Sequence, residues 1–190
     1  MKKLIILISM VFLLSAQQRV AIIDFEGINV SKEEASALTK RLTSELVDLR
    51  EFIVVERSEM RKLLDEQKFQ HTGCVDMICA VEMGRIIGAQ YMILSSVSKI
   101  GRIHSLDSRL ISVATSESYN SARYTTKNGI ENLFEYGIRS IAHEISDKAI
   151  PKDVIDANKP TILNFIKKNK KNVGLGAFSL WIIWGLLPPA

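Results

Sequence analysis

Asp24 and Glu26 flank Phe25 at the end of an apolar run, and alternation along a strand puts both carboxylates on one side. Paired carboxylates can divide acid and base work between them. That chemistry needs a partner base or nucleophile, and the surrounding sequence offers neither. Acids at this place also mark a strand leaving the core. The three histidines, His71, His104 and His143, lie far apart, and none has a second ligand at the close spacings of zinc sites. His143 sits beside an apolar helical stripe, as a boundary residue does. There is no G-x-S-x-G, P-loop or H-E-x-x-H, and Gly174-x-Gly176 lacks the following glycine. The sequence thus predicts a non-enzymatic protein: no catalytic residue, no cofactor, no metal and no small-molecule substrate.

Cys74 and Cys79 enclose Val-Asp-Met-Ile, and their chemistry depends on the compartment. The N-terminus supplies it. Lys2 and Lys3 precede the apolar run Leu4–Leu14, and Ser15-Ala16 provides small residues before Gln17. That is the layout of a secretory signal peptide over residues 1–16, cut between Ala16 and Gln17. The bulky Leu14, third before the cut, leaves the bond less defined than the export; a strand or an uncleaved anchor is the alternative. In an oxidising compartment Cys74 and Cys79 are expected to form a disulfide, against the alternative of two reduced thiols. A loop this short makes the bridge worth roughly 2 kcal/mol. The spacing is not the C-x-x-C of redox catalysis. No cysteine precedes Cys74, so no lipidated cysteine is expected after the signal.

The other end carries a second candidate. Lys167, Lys168, Lys170 and Lys171 precede the apolar stretch Val173–Leu187, which contains Trp181 and Trp184. Fifteen residues fall short of the roughly 20 needed to cross a bilayer. Tryptophans suit interfacial depth and lysines attract anionic head groups, so residues 161–190 read as a surface-lying membrane contact. A segment packed on the domain, or a chain that ends early, remains open. The charge follows from these ends: of 25 Lys and Arg, four sit in this cluster and two in the signal, leaving 19 against 21 acids. A near-neutral body lacks the basic stripe of a nucleic-acid binder.

The body between the ends must position whatever the protein presents. Arg19–Phe25 is a continuous apolar, β-branched run, the mark of a strand covered on both faces. Ser31 and Glu34 form a capping box, and Leu38, Leu42, Leu46 and Leu49 line one face of the helix that follows. Phe52–Val55 is a second strand. Ser58 is placed to cap a helix whose buried edge is Met60, Leu63 and Leu64. A third helix is expected from about Asp76 to Ile87, where Gly84-x-x-x-Gly88 suits close packing or a helix stop rather than phosphate.

Tyr91–Val97, Ser105–Val113 and Ser118–Thr125 read as an antiparallel meander with short polar turns. On the middle strand Leu106, Ser108, Leu110 and Ser112 alternate with Asp107, Arg109, Ile111 and Val113; both faces are mixed, and pattern leaves the buried one open. Asn128 and Glu131 suggest a cap for a last helix striped by Ile130, Leu133, Phe134, Ile138, Ile141 and Ile145. Pro151 and Pro160 bound a polar linker over residues 150–160, so the domain closes near Ala149. The order β-α-β-α-α-β-β-β-α predicts an α/β fold, a mixed β-sheet packed with α-helices.

Several segments taken together resemble the CsgG-type family, named for the curli assembly component. VAIIDFEG at Val20–Gly27 resembles its opening strand; LTKRLTSEL at Leu38–Leu46 and FIVVERSEMRKLLDEQKFQ at Phe52–Gln70 are similar to its first helix, second strand and second helix. GCVDMICAVEMGRIIGAQYMILSSVSKIG at Gly73–Gly101 continues in the same order. The resemblance covers residues 19–149. It implies a fold like the N-terminal domain of TolB and the LpoB-like activators of penicillin-binding proteins. It further implies a periplasmic protein associated with the outer membrane of a two-membrane bacterium, serving secretion or envelope biogenesis. Partners would be envelope proteins and possibly the chain itself, with the membrane surface reached through the C-terminal tail. A membrane hairpin needs two strands of about 9–11 residues, and the turns between the later strands are too short to hold one, so pore formation is not expected. The alternative is an LpoB-like activator of a cell-wall synthase.

Overall fold

The computed structural model describes residues 17–66 and 76–157. Six strands form one mixed sheet in the order β3-β1-β4-β5-β6, with β2 also paired to β4. The strands are β1 (Gln18–Ile22), β2 (Glu26–Ile28), β3 (Phe52–Val54), β4 (Tyr91–Ile100), β5 (Ile103–Ser112) and β6 (Glu117–Thr126). Both β1 and β2 run parallel to β4, whereas β4, β5 and β6 form the antiparallel meander expected. The helices are α1 (Lys32–Leu49), α2 (Arg57–Glu66), α3 (Met77–Ile87), α4 (Ile130–Asn132), α5 (Ile138–Ile145) and α6 (Lys152–Ala157), and a π-turn over Leu133–Gly137 joins α4 to α5. The mixed α/β architecture is the one the element order implied. Compact packing extends as far as Val154.

Each sheet face carries its own core. On one, Val20, Ile22, Ile93, Val97, Leu106 and Leu110 meet Leu38, Leu42 and Leu46 of α1 and Ile138, Ile141 and Ile145 of α5. On the other, Ala21, Ile23, Met92, Leu94, Ile111 and Val113 meet Met60 and Leu64 of α2 and Ala80, Val81, Met83 and Ile87 of α3. Each fully buried leucine or isoleucine contributes roughly 1.5–3 kcal/mol. Two-sided burial explains the nearly continuous apolar run at the start of the body.

That run is not one unbroken strand. Ile22 pairs with Ile93, but Glu26 pairs with Ser96, so the chain holds one residue more than β4 does between these points. Ile22 and Phe25 enter the same core although they are three residues apart, which regular alternation forbids. The Phe25 N–H donates to Thr39 Oγ1 of α1 at 3.1 Å, and Asp24 is left exposed. Such an insertion re-aims side chains as a β-bulge does.

Helix α1 starts as its sequence says. The Glu34 N–H donates to Ser31 Oγ at 3.2 Å, and the Ser31 N–H donates to Glu34 Oε2 at 2.9 Å. The Ser31 hydroxyl also donates to Glu34 Oε2 at 2.7 Å, and this bond, with that from the Ser31 N–H, holds the Glu34 carboxyl below its ordinary value of 4.5. A depressed folded pKa gives stability that is present above the unfolded value and lost as pH falls through the folded one. Glu34→Gln is therefore expected to flatten the acid limb of stability as pH falls below 4.5, read by urea unfolding at a series of acid pH values. Glu144 works in the opposite sense: burial raises its pKa, so its ionised form costs stability.

The glycine pair on α3 serves both expected purposes. Gly84 faces the sheet with Val113 and Met92 against its Cα, and Gly88 ends the helix in the left-handed region at φ 66°. Asp76 caps this helix through the Cys79 N–H at 2.8 Å.

Four local expectations are corrected. Asn128 caps nothing: its N–H donates to Thr126 Oγ1, and Gly129 takes the cap position without a side-chain bond. Ser58 lies inside α2, which begins at Arg57. The last helix, expected as one element from its apolar stripe, is interrupted by the π-turn, where the Ile138 N–H bonds the Leu133 carbonyl. Leu133 and Ile138, five apart, are both fully buried, while Phe134 turns outward at 43% exposure. Gly137 permits this approach, because a Cβ there would lie 2.9 Å from Tyr124 Cδ1. The region read as a linker contains α6, in which Val154 is buried and Asp153 pairs with Arg139 of α5. The short spacing between its prolines allowed only one helical turn or two, which pattern does not distinguish from a polar loop.

Candidate functional site

The middle strand, ambiguous by pattern, is resolved by what lies above each end of the sheet. Leu106, Ser108 and Leu110 are buried under α1 and α5. On the opposite face α2 and α3 cover Ile111 and Val113, but they leave Asp107 and Arg109 open. Pairing extends this open region sideways: Asp107 lies between Ser96 of β4 and Arg123 of β6, and Arg109 lies beside Ser121. The inserted Asp24 and the following Glu26 close the near end. Together they line a cavity of about 570 Å³.

The expected same-side placement of Asp24 and Glu26 holds, since both line this cavity, although a bulge rather than plain alternation puts them there. Their surroundings argue against acid–base work. Asp24 pairs with Arg57, and Asp107 pairs with Arg123. The Ser105 hydroxyl donates to Asp107 Oδ2 at 2.8 Å. Ser95 and Ser108 satisfy each other beneath the surface at 2.7 Å, so neither hydroxyl is activated by a base. No histidine or cysteine among the described residues lines the cavity. Among the described residues Arg109 has no ion pair, and it stands exposed at the centre of the face. Exposed pairs are individually weak, so a partner can replace them at little cost.

Other singled-out residues fall elsewhere. His104 is buried on the α1 side with Nδ1 unpartnered, and His143 is half-buried on α5. No group of three potential metal ligands occurs among the described residues. Cys79 lies in the first turn of α3, as expected, while Cys74 lies outside the described residues. Ala16, Lys167, Lys168, Lys170, Lys171, Trp181 and Trp184 also lie outside them. Gln17 is described, and its side-chain amide donates to the Arg50 carbonyl. No described helix is long and apolar enough to cross a membrane.

Sequence reasoning missed Arg109, Arg123 and Asp107 as one cluster. The alternation on β5 and β6 was visible; which half of the face the helices leave bare was not.

The fold is a mixed sheet with a core on each face and with half of one face left uncovered and polar. The chain belongs to the CsgG family: the family described as curli production assembly/transport component CsgG matches residues 9–125. Its structure is similar to LpoB C-terminal domains from Salmonella enterica (18% identity, 62% of this chain and 90% of that one, TM-score 0.51) and Escherichia coli (19%, 60% and 84%, 0.51). It is also similar to lipoprotein GNA1162 from Neisseria meningitidis (9% identity, 84% and 99%, TM-score 0.51). At these identities the likeness is one of fold. No curated protein sequence matches the chain.

Proposed function

We propose that this chain is a non-enzymatic, periplasmic protein-binding or assembly module, associated with the outer membrane and serving secretion or envelope biogenesis. The observation that carries the reading is the open half of the sheet, where weakly paired charges surround Arg109, which has no ion pair among the described residues. Arginine is enriched among residues that dominate interfaces, and a ready exchange of ion pairs favours selective docking. Family membership supports the envelope setting. A module that is not itself a pore is supported by the short connections among the described strands: β4 and β5 are joined by two residues and β5 and β6 by four. Self-association is a second mode of binding open to it.

The test is cross-linking in intact cells through a photoreactive residue at Ser121, followed by identification of the attached proteins. Capture of envelope proteins, lost on Arg109→Glu, is expected. A lone monomer that cross-links to nothing would end the proposal.

The similarity of fold to LpoB C-terminal domains favours a second reading, activation of a cell-wall synthase. Transpeptidase rate with and without the purified protein separates the two, and no stimulation removes the second.

Three features complete the proposal. Export would remove residues 1–16, so the mature protein should begin at Gln17 on N-terminal sequencing. The segment with Lys167, Lys168, Lys170, Lys171, Trp181 and Trp184 would hold the protein on a membrane surface, and substituting the four lysines by glutamine should move it to the soluble fraction. Cys74 and Cys79 would be bridged. Thiol alkylation of the unreduced, unfolded protein should add no mass, and reduction should lower stability by roughly 2 kcal/mol.

A further inference from the structure

A second surface lies on the opposite side of the sheet, between α1 and the α4–π-turn segment. Glu34, Ala37, Leu38 and Arg41 supply one wall, spaced so that they share a helix face; Ile130, Glu131, Phe134 and Glu135 supply the other. Between them is a largely apolar groove of about 500 Å³. The π-turn is what opens it. In a regular helix Phe134 would follow Leu133 and Ile130 along the buried stripe, whereas here it stands half-exposed in the groove wall.

The charges on this groove are one-sided. Arg41, whose guanidinium carbon lies 5.7 Å from the Phe134 ring centroid, is neutralised by Glu45 at 2.7 Å. Glu131 and Glu135 remain around an apolar floor, together with Glu34, whose charge Lys99 partly offsets. Glu34 is held ionised by its bonds to Ser31. An acidic rim over an apolar floor repels anionic head groups and acidic peptides, and it complements lysine or arginine beside an apolar anchor. Two helices bounding a groove accept a third through apolar residues spaced three and four apart.

We propose that this groove docks a basic amphipathic helix from another envelope protein, with a leucine or phenylalanine seated against Phe134 and flanking lysines or arginines facing Glu131 and Glu135. The site is separate from the open sheet face, so it stands whether or not that face binds a partner.

The test uses the full chain and an 18-residue peptide of leucines at helical a and d positions with lysine elsewhere, its length set by the about 27 Å that five helical turns span. A counterpart with glutamate in place of lysine is the control. The lysine peptide should bind at least about tenfold more tightly by fluorescence anisotropy, and weaken as salt rises. Phe134→Ala should reduce its affinity about tenfold. Glu131→Gln with Glu135→Gln should reduce it severalfold, with an unchanged urea midpoint. Arg109→Ala should leave it unaltered.

Equal affinity for the two peptides, or wild-type affinity in Phe134→Ala, would overturn the proposal. A chain that sediments as a dimer dissolved by Phe134→Ala would assign the groove to a second copy and overturn the foreign partner.

Discussion

Leu110→Ala is expected to lower the free energy of unfolding by about 2–5 kcal/mol, while Arg109→Ala, one residue away, should change it by no more than about 0.5 kcal/mol. Leu110 is fully buried beneath α1 and α5 and would leave a cavity that the two helices and the sheet cannot close together. Arg109 points to the other side, past the ends of α2 and α3, into water. The binding outcome should be reversed. Arg109→Ala should cut the yield of cross-linked envelope partners about tenfold, while Leu110→Ala, studied where it is still folded, should preserve it. Urea unfolding followed by circular dichroism gives the first comparison and cross-linking in cells gives the second. An Arg109→Ala protein that unfolds as readily as Leu110→Ala would show that this end of the face is buried after all, and the candidate site would be lost.

The second large effect is expected where α3 meets the sheet. A Cβ on Gly84 would lie 2.5 Å from Val113 Cγ2 and 2.9 Å from Met92 Cγ. Both neighbours are buried, so neither can swing into solvent. Gly84→Ala should cost about 1–3 kcal/mol through overpacking despite alanine's better helix propensity, and Gly84→Leu should cost more. Gly88→Ala meets no atom within 4 Å, and its cost should be only that of a left-handed residue, about 1–2 kcal/mol. The two glycines thus separate by mechanism. Adding Val113→Ala should recover part of the loss at Gly84 and none at Gly88, as a double-mutant cycle measures. Equal costs without rescue would mean that α3 does not rest on the sheet through Gly84.

Features set by nearby residues were legible. The capping box at Ser31 and Glu34, the leucine stripe of α1, the glycines of α3 and the meander of β4 to β6 each depend on contacts within a few residues or across a short turn. The bulge at Asp24 was not, because it is defined against β4, some seventy residues away. The π-turn was hidden for a related reason. Its apolar residues fit a regular period nearly as well, and the choice was made by the contact of Gly137 with Tyr124 and by joint burial of Leu133 and Ile138.

The same division holds for the candidate site. By itself the sequence determined that the chain would build a mixed sheet covered by helices, and that Asp24 and Glu26 would fall on one side of it. Only the tertiary structure decided that α2 and α3 cover half of one sheet face and stop, leaving Asp24, Glu26, Asp107, Arg109 and Arg123 around one cavity. Alternation tells which residues share a face, since it follows from backbone geometry. Whether that face meets helix or water depends on where separate elements end in space, and no local pattern encodes that.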